Sequence, residues 1–595
     1  TLIKATPLYC SSEQHTHTQC RLPTSSEVHT ALRVAARSLT LATRQPAINF
    51  VSHRFESTIV QPAAKPWRSG WRILRRTAYV GTAAWFVYGG YNIYTARHPL
   101  AQAAFDPEKK TIVILGSGWA STAFLKDIDT VNYNVVCIRG SHFRCQHKDY
   151  AQSRAKSRRT FCFTLTFPIP SQVIVSPRNY FLFTPLLPST TVGTVDFRSI
   201  IEPIRYITRH KSREVKVYEA ECSDIDPVKK TIVINDNSEI KGSVAQQSLP
   251  YDYLIIGTGC QNATFGIKGV EEYACFLKEV WDAQKIRTRL MDCIETAAFA
   301  GQPEEEIERL LHMVVVGGGP TGVEYAAELH DFLKDDLVDW YPDIAGKVNI
   351  TLVEALQTVL PVFSKQLIEY TETTFKEQNI KILTKTMVKE VRQKEILVKD
   401  ADGSERTIPY GLLVWATGNT TRPFIRSLME KLPESQTVRR GLAVDELLRL
   451  QGAEDIWALG DVTATKYAPT AQVASQQGKY LARMFNLMAI KDKLEAQVVA
   501  MSEGPEKDKQ IRKINRLKDI KPFHYSHQGS LAYIGSEKAI ADLPLFHGNI
   551  SAGGVATYVF WRSAYLSNLF SIRNRTLVAM DWIKKNVFGR DISRE

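Results

Sequence analysis

Short runs of β-branched and aliphatic residues that end on glycine recur along the chain, in TIVILGSG (111–118), YDYLIIGTG (251–259), MVVVGGGPTG (313–322), LLVWATG (412–418) and IWALGD (456–461). Unbroken apolar runs of this length predict strands covered on both faces, as in a parallel sheet. The first leads through Gly116 and Gly118 into the helix-compatible TAFLKDI, the third through Gly317, Gly319 and Gly322 into VEYAAEL. A buried strand, a tight turn and a helix start suit a pyrophosphate, because free N–H groups and the positive helix end face the phosphates. The later turn is a complete fingerprint, whereas in the earlier one Ser121 holds the third glycine position, small enough for close helix–strand packing. VNITLVEA (348–355) predicts the strand after the complete turn. It ends in Glu354, placed to accept hydrogen bonds from an adenosine ribose and to repel a 2′-phosphate, so NADH is expected over NADPH.

The order of these runs predicts an α/β chain with two Rossmann-like dinucleotide-binding domains, the second inserted in the first. The strand before Gly460 and Asp461 then returns to the first sheet, with Asp461 near the ribityl and phosphate part of a flavin. Expected boundaries are 106–300 and 406–485 for the two parts of the first domain and 301–405 for the second. A membrane-associated region, 486–595, comes after them.

Ahead of the body, residues 77–94 carry no charged side chain and approach the roughly 20 apolar residues that span a bilayer, predicting one transmembrane helix within an anchor and linker at 61–105. Residues 1–60, with Arg21, Arg33, Arg37, Arg44 and Arg54 among Ser, Thr and Ala, have the composition of a mitochondrial targeting region. No methionine precedes Met291, so Thr1 is not expected to be the translated start. Arg68, Arg72, Arg75 and Arg76 before the span, against Arg97 after it, place the amino terminus in the matrix and the body in the intermembrane space.

The net charge of +13 does not point to nucleic acid, because residues 1–105 carry +9 and residues 137–172 carry +6, leaving about −2 on the rest. The nine cysteines show no C-x-x-C spacing and none follows Cys293, which argues against a zinc site, a disulfide framework and a redox-active disulfide beside a flavin. No metal is expected.

These residues resemble the type II, or alternative, NADH:ubiquinone oxidoreductases of mitochondria, of the external type. The likeness rests on VILGSGWAS, SPRNYFLFTPLLPS (176–189), LIIGTG, FLKEVWDAQKIR (276–287), GGGPTGVE, WATGN (415–419), ALGDVTATKYAPTAQVASQQGKYLA (458–482) and AYIGSEKAIADL (532–543). It implies non-covalent FAD and NADH, with hydride passing from NADH to FAD and two electrons then to ubiquinone without proton pumping. It also implies a carboxyl-terminal segment seated on the mitochondrial inner membrane, and possible homodimers. By motif, Gly116, Gly118 and Ser121 would face or support the FAD pyrophosphate turn, with Thr184, Pro185, Thr258, Gly259, Gly418, Gly460 and Asp461 around the flavin. Gly317, Gly319, Gly322 and Glu354 would hold NADH. Glu324 would lie close to the nicotinamide and flavin, and Gln472 and Gln476, four apart on one helix face, at the quinone pocket beside Ala471 and Ala474. A sulfide:quinone oxidoreductase would need late cysteines near the flavin. A flavoprotein resembling apoptosis-inducing factor would not need the paired glutamines.

Two stretches stand apart. Residues 137–172 separate NYNVV from VIVSPRNYF and read as a retained intron or gene-model error, or, if genuine, a basic loop at the flavin-binding strand. Ser176, Pro177 and Arg178 stand where an acid for the FAD ribose is usual. The region VATYVFWRSAYLSNLF (555–570) and the basic, aromatic stretch after it predict helices lying in a membrane interface.

Overall fold

The computed structural model describes residues 97–138 and 178–593 except 237, 239, 241, 546 and 547, together with Tyr79, Gly81 and residues 87–95. The chain divides into two bodies, Thr1–Gly81 and Thr82–Glu595, and the second carries both sheets of the sequence expectation. Residues 87–95 are helical, but residues 77, 78, 80 and 82–86 of the expected span and the whole targeting region lie outside the described residues. Among the described residues no helix is long and apolar enough to cross a membrane.

Along the second body come β1 (Thr111–Leu115), α1 (Trp119–Asp127), β2 (Asn134–Ile138), β3 (Lys216–Val217), β4 (Tyr253–Ile256), β5 (Cys275–Phe276), α2 (Val280–Ala297), β6 (His312–Val316) and α3 (Pro320–Phe332). After these lie β7 (Asn349–Val353), β8 (Ile380–Leu383), β9 (Leu412–Trp415), β10 (Ile456–Ala458), α4 (Ala471–Val499) and α5 (Pro505–Lys518). The carboxyl-terminal part holds β11 (Ser530–Tyr533), β12 (Ala539–Leu545), β13 (Gly548–Gly554), α6 (Val555–Asn568) and α7 (Ile572–Phe588).

The apolar runs form two parallel sheets, ordered β10-β4-β1-β2-β3 and β5-β9-β6-β7-β8. Their lack of polar alternation has a direct cause: Ile112 and Ile114 face one core while Val113 and Leu115 face another, so every residue along β1 after Thr111 is buried. In β6, Met313 and Val315 likewise face away from Val314 and Val316. The return of β10 to the first sheet, beside β4, realises the inserted topology.

The expected inner boundaries need correction. β9 pairs with β6 (Met313↔Leu412 to Val316↔Trp415) and β5 with β9, so the second dinucleotide unit runs from Cys275 to Trp415 rather than from 301 to 405. A strand-then-glycine run fits either sheet, and only pairing decides between them. β2 also continues through Cys137 and Ile138 opposite Ile114 and Leu115, so the suspect stretch contributes two residues to the first sheet. The remainder of that stretch, and residues 173–177 after it, lie outside the described residues.

The chain crosses from the first dinucleotide unit to the second after β4 and back after β9. These crossings pair antiparallel, Gln261 with Thr420 and Asn262 with Asn419. Past the second crossing, α4 runs along α1 so closely that a Cβ at Gly478 would stand 2.2 Å from the Ala120 carbonyl oxygen. The charge-dense residues 490–520 form the end of α4 followed by α5, and in α5 only Ile514 is buried.

Candidate dinucleotide cleft

Both glycine turns have the backbone that their role demands. Gly116 and Gly317 take φ of +113° and +118°, and a Cβ on Gly116 would lie 2.3 Å from the Gly257 carbonyl oxygen. At the third glycine position the two turns diverge. Gly322 passes so close to the Gly317 carbonyl that a Cβ would stand 1.9 Å away, whereas Ser121 fits and donates from Oγ to the Gly257 carbonyl at 3.4 Å. The serine thus replaces a glycine contact with a hydrogen bond between helix and neighbouring turn.

α1 and α3 start from Gly118 and Gly319, neither of which caps the helix with a side chain, and the space beside each of these Cα atoms is open for 4 Å. Two uncapped helix starts with room in front of them are anion sites. One cleft runs between the dinucleotide units. Gly118, Thr184, Thr258, Gly259, Gly418, Gly460 and Asp461 all line it, so seven of the expected cofactor residues converge there. The buried Thr258 Oγ1 has no hydrogen-bond partner among the described residues, an acceptor and donor left for a ligand. Thr184 Oγ1 accepts from Trp119 Nε1 at 3.0 Å, and Pro185 follows it in the same turn, outside the lining. An open helix start, an unpaired hydroxyl and an acid at the far end fit a flavin dinucleotide.

Glu354 lies at the second turn, as its position after β7 predicts. Its Oε2 accepts from the Gly318 N–H at 2.5 Å and its Oε1 from the Leu356 N–H at 2.7 Å, which fixes the carboxylate beside the helix start of α3.

Three expected catalytic residues occupy the carboxyl-terminal side of the cleft instead of its lining. Glu324 is fully enclosed, accepting from the Tyr533 N–H at 3.1 Å and facing the Tyr565 hydroxyl at 3.5 Å; burial pushes its carboxyl up to about 8, against the pull of the Tyr533 N–H. Thr321, one turn earlier on α3, is the residue that reaches the cleft. Gln472 donates to the Gly529 carbonyl at 2.8 Å and accepts from the Tyr525 hydroxyl at 3.0 Å. Gln476 binds Ser526 reciprocally, donating to its carbonyl at 2.8 Å and accepting from its N–H at 3.0 Å. The two amides therefore pin the irregular segment leading into β11, while Ala471 and Ala474 present their small side chains to the cleft.

Sequence reasoning missed several lining groups. Lys278, Cys260, Trp119 and the buried ion pair Arg178–Glu279 all face the cleft. Arg178 and Glu279 bear on the vacant acid position: Glu279, from the start of α2, brings a carboxylate there from another element. Lys278 and Trp119 stand inside the family motifs, but nothing in their spacing gives them a task. Gln477, between the two expected glutamines, is also functional in the fold, its Oε1 accepting from the Gly460 N–H at 2.6 Å.

Beyond the cleft, β11, β12 and β13 make an antiparallel sheet on which α6 packs through Tyr558 and Trp561, and α7 packs against α6 through Trp582. Val555, Val559 and Phe560 of α6 and Met580, Ile583, Val587 and Phe588 of α7 remain exposed.

The family model described as pyridine nucleotide-disulphide oxidoreductase matches residues 110–478, and that of the NDH2 C-terminal domain matches residues 527–591. The external alternative NADH-ubiquinone oxidoreductase, mitochondrial, of Yarrowia lipolytica is 50% identical over 551 residues, covering 89% of this chain and 88% of its own. The external NADH-ubiquinone oxidoreductase 2, mitochondrial, of Saccharomyces cerevisiae is 41% identical over 531 residues, with 88% and 90% covered. Among solved structures, NDH2 of Plasmodium falciparum in complex with NADH aligns with a TM-score of 0.66 at 28% identity, covering 82% of this chain and 100% of that one. The sulfide:quinone oxidoreductase of Aquifex aeolicus, with a TM-score of 0.54 at 16% identity over 81% and 96%, shares the fold alone.

Proposed function

The chain belongs to the pyridine nucleotide-disulphide oxidoreductase family and, within it, to the mitochondrial external NADH-ubiquinone oxidoreductases, and from that membership we propose how its residues divide the work. The protein is an FAD-dependent NADH:ubiquinone oxidoreductase. The observation that carries the residue assignment is one cleft between the two dinucleotide units, lined by Gly118 at the uncapped start of α1 and reached from the first turn of α3 by Thr321.

Gly116, Gly118 and Ser121 shape the turn that receives the FAD pyrophosphate at the start of α1, and Thr258, Gly259, Gly460 and Asp461 hold the ribityl side. Bound there, FAD supplies a centre that accepts a hydride and gives up two electrons. Gly317, Gly319 and Gly322 let the NADH pyrophosphate approach α3, with Glu354 oriented by Gly318 to take the ribose hydroxyls. Thr321 and Gly418 border the place where the nicotinamide would meet the flavin. Glu324, holding its proton at neutral pH, stands behind Tyr565 on the quinone side. Gln472 and Gln476 fix the wall formed by residues 525–529, and Ala471 and Ala474 leave a flat gap against it for a quinone ring.

The exposed apolar faces of α6 and α7 support a seat on the inner membrane, where ubiquinone is dissolved. The arginine bias around residues 77–94 supports a body facing the intermembrane space. The reading is tested with purified protein: NADH should bleach the flavin absorbance and short-chain ubiquinone should restore it, and failure of ubiquinone to do so would refute it. Its orientation is tested by NADH oxidation and protease access in mitochondria with the outer membrane opened. Protection of the body until the inner membrane breaks would reverse the assigned side.

A further inference from the structure

Cys260 follows β4 in the first dinucleotide unit and Lys278 follows β5 in the second, and their side chains meet at the cleft. Lys278 Nζ donates to Cys260 Sγ at 2.9 Å and to Asn419 Oδ1 at 2.8 Å, and Cys260 Sγ lies 3.5 Å from Asp461 Oδ2. Both residues line the cleft, where Cys260 is 4% exposed, so a reagent reaches the sulfur only from the cleft side. Among the cysteines whose side chains are described, Cys222, Cys275 and Cys293 are likewise buried and form no disulfide. Among the described residues, a sulfenic acid formed on Cys260 has the Lys278 amine within bonding reach and no second thiol hydrogen-bonded to it.

We propose that hydrogen peroxide converts Cys260 and Lys278 into a sulfenamide cross-link that staples the two dinucleotide units together. In the first step the thiol and peroxide give sulfenic acid and water, the sulfur losing two electrons as the O–O bond breaks. In the second, Lys278, its extra proton released to solvent, attacks the sulfur; the S–N bond forms, the S–O bond breaks and water leaves. Two equivalents of a thiol reductant reverse the change, returning thiol and amine and leaving as a disulfide. Burial pushes the Cys260 thiol up while the Lys278 charge draws it back and the Asp461 carboxylate opposes that, so the reaction is slow at neutral pH and quickens as pH rises. The new bond lies beside the paired crossings, where it fixes the angle between the units and narrows the cleft.

The experiment treats the full-length, FAD-loaded protein with hydrogen peroxide and digests it for mass spectrometry. The expected product is the Cys260 peptide joined to the Lys278 peptide, lighter than their sum by two hydrogens and separated again by dithiothreitol. Turnover of the treated protein should fall severalfold and recover with the reductant. Cys260→Ser, compared with itself before and after treatment, should neither lose turnover nor gain a cross-link, and Lys278→Arg should accumulate sulfenic acid trapped by dimedone. Cys260 oxidised without a bond to Lys278 in the wild type would overturn the proposal. So would an unmodified Cys260 at peroxide levels that oxidise Met387, which is 52% exposed. The mass readout stands whichever electron acceptor the enzyme uses.

Discussion

Glu354 Oε2 accepts the Gly318 N–H at 2.5 Å, so the acid that ends β7 is tied to the middle glycine of the turn that opens α3. The acid proposed to choose the coenzyme and the turn proposed to bind its phosphates thus share one rigid piece of backbone. Replacing Glu354 with Gln keeps the acceptor and removes the charge that repels a 2′-phosphate. The ratio of kcat/KM for NADH to that for NADPH should fall by about tenfold or more, on the scale of one lost charge contact. Steady-state kinetics with both coenzymes measure it, and an unchanged ratio would move the discrimination elsewhere.

The clamp from α4 onto residues 525–529 gives a second expectation. Gln476→Ala removes both hydrogen bonds to Ser526, so the wall beside the proposed quinone gap loosens. KM for ubiquinone should rise severalfold while NADH reduction of ferricyanide, which needs no quinone pocket, stays near the wild-type rate. Equal loss with both acceptors would assign the glutamine to the fold alone.

Glu324 sets a pH dependence whose sign can be worked out. Its carboxyl is pushed up to about 8 in the folded protein from an ordinary value of 4.5, so the folded state binds the extra proton between those limits. Folding stability from this group is complete below pH 4.5 and is lost as pH rises towards 8, by an amount on the order of 4 kcal/mol. Glu324→Gln should flatten the denaturation midpoint across that window. A parallel decline in wild type and variant would show that the carboxyl does not titrate there.

At Gly478 even one methyl group meets the Ala120 carbonyl at 2.2 Å. Gly478→Ala should push α4 off α1 and cost about 1–3 kcal/mol. Because α1 opens on the turn proposed to receive FAD, flavin content after purification should fall along with the melting temperature.

Near the carboxyl terminus, Arg590 has a side chain only 2% exposed and donates to Asp336 Oδ2 at 2.6 Å and to Thr194 Oγ1 at 3.0 Å. Arg590→Met strands the buried carboxylates of Asp336 and Glu328 and should destabilise by about 3–5 kcal/mol. Chemical denaturation reads the loss, and a shift below about 1 kcal/mol would show water reaching the site.

How much of this was legible depends on the range over which each signal acts. The turns at Gly116 and Gly317, Ser121 in the third glycine position and Glu354 at a strand end are local, written within one strand, turn and helix. Sheet membership is not: LLVWATG reads the same in either sheet, and β9 took its place because β6 pairs with it. Lys278 was unreadable as a cleft residue because its partners are 18 and 141 residues away, brought together by loops with no periodicity. The motif found Gln472 and Gln476, but only the packed structure shows their amides spent on the backbone of residues 525–529. Gln477 escaped notice because its task, accepting from the Gly460 N–H, depends on how α4 lies against the turn after β10.

The antiparallel pairing of Gln261 with Thr420 and of Asn262 with Asn419 places the entrance and exit of the second dinucleotide unit side by side. A module whose two ends are neighbours can be lost, gained or exchanged whole without breaking the sheet that hosts it. The proposed NADH half is therefore bounded as a cassette, and a unit grafted between Asn262 and Asn419 would inherit its alignment to the first sheet from this doorway.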